Sequence, residues 1–165
     1  MTTRDIFVIS DTHFGHSNII KYCNRPFSSS DEMDELMVQN WNSVVKQNDI
    51  VYHLGDVYFS LSNINWQHRL NGRKRLILGN HDNGKDNVLH QMFEKIMIWR
   101  MFPEFGLLLT HVPVHPETIV EGKAKCSLNV HGHIHEKDAY SKQYVNVSVE
   151  KINYTPVSIE TLRVK

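Results

Sequence analysis

Cysteine is nearly absent: the 165-residue chain carries two, Cys23 and Cys126, and no Cys-x-x-Cys pair. That argues against a thiolate zinc site and gives no support to a disulfide framework. An excess of charge of one sign is absent too. Lysine plus arginine and aspartate plus glutamate number 18 each, so the formal net charge is zero. A chain that attaches non-specifically to phosphate backbones is usually basic, so long nucleic acid is not favoured as a partner. No apolar run approaches the length that spans a bilayer, and the run Ile6–Ile9 near the N-terminus is too short for a signal peptide. Repeats, linkers and low-complexity tracts are also lacking. These absences predict a reduced, cytoplasmic, soluble protein without membrane association, folded as a single domain over residues 1–165.

What is present is ordinary in bulk, with 41% hydrophobic and 22% charged residues. The eleven histidines are many, and their placement matters more than their number. The stretch Leu76–Asp82 organises the rest. Three aliphatic residues read as a buried strand, Gly79 ends it, and Asn80, His81 and Asp82 follow at once. Open α/β sheets place their chemistry at strand ends of this kind. Asn80 and His81 can ligate metal, His81 can move protons near neutral pH, and Asp82 is placed to hydrogen-bond the His81 ring. Such a turn has a purely conformational explanation as well, since Asn and Gly tolerate left-handed backbone angles.

Along the chain, Ile6–Ser10 predicts a first buried strand that delivers Asp11-Thr12-His13, with Gly15 and His16 in the following loop. Lys21–Ser30 reads as irregular. Ser29 and Glu32 have capping-box spacing, and Met33, Leu36, Met37, Trp41, Val44 and Val45 predict an amphipathic helix running to Lys46. Asp49–Leu54 predicts a second strand, ending in Gly55-Asp56; Leu61–Leu70 reads as helical, and Arg73-Lys74-Arg75 as a solvated strand entrance. Asp86–Phe93 predicts a short helix. Lys95–Met101, Phe105–Thr110, Ser127–Val130, Gln143–Val149 and Val157–Val164 predict further strands. Strand and helix alternate early and strands dominate late, the pattern of a layered α/β domain whose sheet is completed by late strands.

One arrangement recurs at five strand ends: Asp11-x-His13, Gly55-Asp56, Gly79-Asn80-His81-Asp82, His111 and Gly132-His133-x-His135. Each fragment alone has a structural explanation, as a capped turn, a loop start or a satisfied loop histidine. Together, if the ends converge, they assemble two aspartates, one asparagine and four histidines, with His81 to spare. Oxygen and imidazole donors without thiolate suit manganese, iron, nickel or zinc. Seven donors exceed one four-coordinate site and suit two divalent ions sharing a bridging carboxylate.

The order Asp-x-His, Gly-Asp, Gly-Asn-His-Asp, His, Gly-His-x-His resembles the calcineurin-like metallophosphoesterases, over Asp11 to His135. Asp11-Thr12-His13-Phe14-Gly15-His16 and the short chain look like the compact bacterial and phage phosphoesterases. The resemblance implies a layered β-sandwich flanked by helices, with a two-metal site at the strand ends. It implies that Asp11, His13 and His135 hold one metal, that Asn80, His111 and His133 hold the other, and that Asp56 bridges them. It implies a catalytic pair in which His81 acts at the reacting phosphate and Asp82 orients it. Many members carry an arginine soon after the bridging aspartate; here Val57-Tyr58-Phe59-Ser60 follows, leaving Arg25 or His16 to supply that contact.

The chemistry fits independently of the name. Two cations, manganese foremost, lower the pKa of a bridging water and offset charge on the phosphoryl oxygens. A hydroxide attacks in line, and His81 stabilises or protonates the departing oxygen. The expected substrate is a small phosphorylated molecule such as a nucleotide or phosphodiester, with diesters preferred to monoesters. His16 and His115 are expected at the substrate mouth. His53 and His131 are expected in the core or behind the ligands, and His68 and His90 on solvent-facing helices. Two other classes compete: a non-catalytic metal-binding or protein-interaction module on the same fold, and a structural single-zinc domain, which the lack of thiolate pairs disfavours.

Overall fold

The computed structural model describes residues 4–61, 64–119 and 126–163, and among these nine strands form two sheets. In the first, β1 (Ile6–Ile9), β2 (Ile50–His53), β3 (Arg73–Ile77) and β4 (Lys95–Met97) run parallel in the order β4-β3-β2-β1, and β9 (Val157–Ser158) adds antiparallel to β1. In the second, β5 (Trp99–Phe102) pairs antiparallel with β6 (Leu107–Thr110), which continues in parallel to β7 (Leu128–His131) and β8 (Tyr144–Asn146). This is the expected α/β layered sandwich flanked by helices.

Period-two alternation sorts each strand between two cores. Val8, Tyr52 and Ile77 face Leu107, Leu109 and Val130 between the sheets. Their neighbours Phe7, Ile9, Val51 and Leu76 face the opposite way, against the helical layer. That layer is mainly α2 (Ser30–Val44), which buries Met33, Met37, Val38 and Trp41 at three- and four-residue intervals. Trp41 is 1% exposed and donates its Nε1–H to Asn71 O at 2.9 Å. Truncating it to alanine costs about 3–5 kcal/mol, the usual range for a buried tryptophan. The helix starts as its sequence predicts: Ser29 Oγ accepts the Glu32 N–H at 3.1 Å. The reciprocal capping-box bond shifts by one residue, because Glu32 Oε2 takes the Ser28 N–H at 2.8 Å.

Several expectations need correction. The segment Lys95–Met101 is two strands in different sheets, not one. The chain crosses at Ile98, which is exposed, and so links the layers. Leu61–Leu70 forms, among its described residues, a single 3₁₀ turn at Trp66–His68; residues 62–63 lie outside the described part. Trp66 sets that turn, because its ring stacks on Phe14 with centroids 4.4 Å apart and Asn65 before it is left-handed at φ 50°. The chain after the Gly15-His16 loop forms a short helix, α1 (Ser17–Tyr22), which takes in the start of Lys21–Ser30, read as irregular. Of the two last expected strands, Gln143–Val149 shortens to β8 and Val157–Val164, among its described residues, to β9, each followed by a 3₁₀ turn, Val149–Lys151 and Ile159–Leu162; Val164 lies outside the described part. Arg73-Lys74-Arg75 lies inside β3: Arg73 pairs with Glu94, and Arg75 donates to the Tyr52 hydroxyl. The helix at Asp86–Phe93 is present as α3 (Asn87–Met92), with Asp86 Oδ1 accepting the Val88 N–H. No helix among the described residues is long and apolar enough to cross a membrane.

Candidate metal centre

Parallel pairing brings the carboxyl ends of β1, β2 and β3 to one rim of the first sheet, and β6 and β7 end beside them. The β1 and β2 loops are stitched together by backbone: Asp11 N–H donates to Gly55 O at 3.0 Å and His13 N–H to Asp56 O at 3.1 Å. Across the sandwich, the His133 N–H donates to Asp11 Oδ2 at 2.9 Å, and Ser148 Oγ–H to the same oxygen at 3.0 Å. The His81 N–H donates to Asp56 Oδ1 and the Gly132 N–H to His111 O, both at 2.9 Å, so all five strand-end fragments meet.

The backbone there is strained. Asp11, His13, Asp56, His133 and His135 adopt left-handed φ values of 57°, 49°, 57°, 69° and 51°. Such conformations cost about 1–3 kcal/mol each and persist where surroundings over-determine them. Two glycines let the loops approach closely enough. A Cβ on Gly132 would stand 2.2 Å from Asp11 Oδ2, and one on Gly79 would stand 2.2 Å from Asp56 Oδ1.

The donors fall into two sets. In each of Asp11–His13–His135 and Asp56–His111–His133, ligand-capable atoms lie within 4.8 Å of one another. Asn80 joins the second set, its Oδ1 lying 2.8 Å from His111 Nε2 and 2.9 Å from His133 Nδ1. Asp56 Oδ2 stands between the sets, 3.6 Å from His13 Nε2 and 3.5 Å from His111 Nε2. Its other oxygen is engaged by the His81 N–H at 2.9 Å.

Hydrogen-bond accounting tests whether a cation fits. Asp11 Oδ1 and His13 Nε2 are buried without a hydrogen-bond partner, which is rare for native polar atoms. His111 Nδ1 lies 2.8 Å from Leu54 O. That carbonyl needs a donor, so the proton sits on Nδ1 and the Nε2 lone pair faces Asn80 Oδ1 and Asp56 Oδ2. Acceptors aimed at one point repel unless positive charge sits among them. Both sets therefore suit divalent cations.

Electrostatics agree. Burial, reinforced by the Arg25 guanidinium and the neighbouring rings, pushes His13 down to about 2, so it stays neutral and its lone pair is free. Burial and His111 also lower His133. Burial raises the Asp56 carboxyl against the pull of His111 and the His81 N–H. His135 differs. Burial opposes its charge, but Cys23, Glu150 and Asp11 outweigh burial and hold the ring up at about 10.

The other expected site residues divide. His81 is exposed beside the site, its ring edge-on to His13 with centroids 5.6 Å apart. His16 is half-buried at the rim, its Nδ1 3.4 Å from His13 Nδ1 and its ring stacked on Phe59 at 4.2 Å. His115 is exposed and accepts the Glu117 N–H at 3.4 Å. Asp82 does not hold the His81 ring as expected. Its carboxylate accepts the N–H groups of Gly79 (2.8 Å), Asp56 (2.9 Å) and Val57 (3.0 Å), clamping the β3 loop to the β2 loop. Arg25 does not reach the mouth. It is 4% exposed and binds Asp11 O, Thr12 O and Glu150 from beneath. His53 and His131 are buried as expected, His53 against Thr12 Oγ1 at 2.8 Å, while His68 and His90 are exposed.

Glu150 was missed. Its Oε1 lies 3.1 Å from His135 Nδ1 and 2.7 Å from the Arg25 guanidinium. The carboxylate therefore orients His135 so that Nε2 faces Asp11 Oδ1 at 3.9 Å. The only signal in the sequence was an acidic residue after Gln143–Val149, which carries no spacing relation to His135.

Comparison with known proteins places this geometry. The calcineurin-like phosphoesterase superfamily domain matches residues 5–153. An uncharacterized protein of Methanocaldococcus jannaschii is 39% identical over 174 residues, covering 98% of this chain and 91% of its own. The gene 66 protein of Mycobacterium phage L5 is 37% identical over 78 residues, 44% of this chain and 37% of that protein. The crystal structure of a protein of unknown function from Aquifex aeolicus is similar with a TM-score of 0.78 and 28% identity, covering 97% of this chain and 98% of that one.

Proposed function

The chain belongs to the calcineurin-like phosphoesterase superfamily, and from that premise we propose that it hydrolyses phosphoesters with two divalent cations, manganese foremost, preferring diesters to monoesters. The observation that carries this reading is the position of Asp56 Oδ2, 3.6 Å from His13 in one donor set and 3.5 Å from His111 in the other. Asp11, His13 and His135 would hold one cation and Asn80, His111 and His133 the other, with Asp56 shared. Bound there, the pair supplies an acidified water near neutral pH and positive charge for the phosphoryl oxygens.

The chain's own residues do the rest. His81 is exposed beside Asp56 and free of a carboxylate clamp. Its imidazolium hands a proton to the leaving oxygen as the bond to phosphorus breaks, and solvent restores it. Asp82 positions rather than reacts, because it fixes the relative height of the Asp56 and Asn80-His81 loops. His16 contacts the substrate at the rim. The exposed Asn80, His81 and His133 support an open mouth, which suits a small diester or nucleotide with two substituents on phosphorus. Two free cysteines support a reducing, cytoplasmic setting.

The test is turnover of the manganese-loaded protein on bis-p-nitrophenyl phosphate and on p-nitrophenyl phosphate. Diester turnover exceeding monoester turnover is expected. Monoester turnover alone reverses the preference. No turnover of either, with both ions bound, replaces the enzyme with a metal-binding module.

A further inference from the structure

His135 stands between two different sets of donors. Its Nε2 faces Asp11 Oδ1 at 3.9 Å, on the side of the first cation position. Its Nδ1 faces away, toward Glu150 Oε1 at 3.1 Å. The free, half-buried thiol of Cys23, which caps the carboxyl end of α1, belongs to the same cluster. Ligand-capable atoms of Cys23, His135 and Glu150 lie within 4.8 Å of one another. The Glu150 side chain is 6% exposed, and while Arg25 and His135 engage Oε1, Oε2 is buried with no hydrogen-bond partner. A carboxylate with one unpartnered oxygen, clustered with a thiol and an imidazole, has no use in the phosphoesterase reading.

We propose that Cys23, His135 and Glu150 form a third cation position, selective for thiophilic divalent ions such as zinc or cadmium, which competes with the first position for His135. Selectivity follows from the donors. The two other sets offer nitrogen and oxygen, whereas this one offers a thiolate, which favours soft ions over manganese. Three protein donors and one water complete a tetrahedron of the kind zinc adopts. The Arg25 guanidinium offsets one negative charge but occupies Oε1, leaving Oε2 as the ligand oxygen.

Competition follows from imidazole chemistry. A neutral ring binds a cation through one nitrogen and carries its proton on the other. For the first position, Nε2 must be the ligand and the Nδ1–H points at Glu150. A cation on Nδ1 puts the proton on Nε2, where it faces Asp11 Oδ1 and the first cation. The two arrangements exclude each other, so a thiophilic ion bound outside the phosphate-facing site would empty part of it. This competition rests on the first cation position of the phosphoesterase reading; the thiolate position does not.

The experiment is a cadmium titration of the metal-free full chain, followed by the ultraviolet charge-transfer absorption of a cadmium thiolate. Wild type and Cys126→Ser should develop the band, saturating at one thiolate-bound ion per chain, and Cys23→Ser should not. Loading with manganese first should raise the cadmium concentration at half-saturation about tenfold, an ordinary size for coupled sites. Cadmium should in turn release one manganese ion, read by the electron paramagnetic resonance of the free ion. In case Cys23→Ser does not fold, cadmium should also slow alkylation of Cys23 in wild type, located by peptide mass. A band that survives in Cys23→Ser, or that never forms, overturns the site. A half-saturation point indifferent to manganese overturns the competition. A band and competition without phosphoester turnover support this proposal while refuting the phosphoesterase reading.

Discussion

The two donor sets share chemistry but not surroundings. Asp11 and His13 are buried, with two polar atoms left without hydrogen bonds, and an ion pair of Arg25 and Glu150 braces their loop from below. In the second set, Asn80 and His133 are exposed, and their polar atoms already contact one another. The first set is thus built from the fold inward, and a cation there would satisfy polar atoms left without hydrogen bonds. The second set lies at the exposed rim. The lesson is that equal ligand counts do not give equal sites. We expect the first position to retain its ion more firmly and the second to exchange with solvent and admit the phosphoryl group.

Removing the group common to both sets is the most damaging change. Asp56→Asn should weaken both positions and reduce turnover by more than about 10⁴-fold, beyond what loss of one acid–base group causes. Retention of both ions by this variant would show that the sets are independent. His81→Gln comes next: both positions should stay filled while turnover falls by about 10²–10⁴-fold, most for poor leaving groups. Loss of an ion would make His81 a ligand, and equal losses for good and poor leaving groups would limit it to positioning phosphate.

A smaller change should separate the positions. Glu150→Gln loosens His135 and should reduce affinity at the first position by about 10–100-fold, the usual effect of removing a group that orients a ligand. The second position should be unchanged. Because Arg25 loses its buried partner, stability should fall too, by about 3–5 kcal/mol. Equal loss at both positions, measured by ion titration of the folded variant, would deny that the brace belongs to the first.

How much of this was legible follows from where the information lies. The five strand-end segments follow apolar strands directly, so their order alone pointed to a shared rim, and the seven candidate donors are brought to it. Asp82 was misread because its partners are backbone N–H groups of two loops, which side-chain identity does not reveal. Arg25 and Glu150 are 125 residues apart, and no local pattern connects such a pair. Lys95–Met101 read as one strand because Ile98, where the chain changes sheets, is neither glycine nor proline.

A further expected effect is on acid stability of the metal-free protein, and it concerns the buried side alone. Burial lowers His13 to about 2 and His53 to about 3, below the 6.5 of an exposed imidazole. The unfolded chain therefore takes up protons that the folded one refuses as pH falls below 6.5. Stability should drop by up to about 1.4 kcal/mol per pH unit for each ring. His135, raised to about 10, is protonated in both states over that window and adds no slope there. Its contribution is present below 6.5 and is lost as pH rises toward about 10. Denaturant midpoints between pH 6.5 and 4.5, above the range in which carboxylates dominate, would check the slope. A flat profile would mean that the two rings are not buried neutral.

The most direct test of the unequal, Asp56-linked pair is manganese binding to wild type and to His111→Ala, read as ions bound per chain and their separate affinities. The account predicts two ions of different affinity in wild type, and in His111→Ala loss of the weaker one with the tighter one retained. A single ion in wild type at millimolar manganese, or loss of the tighter ion in His111→Ala, would contradict it.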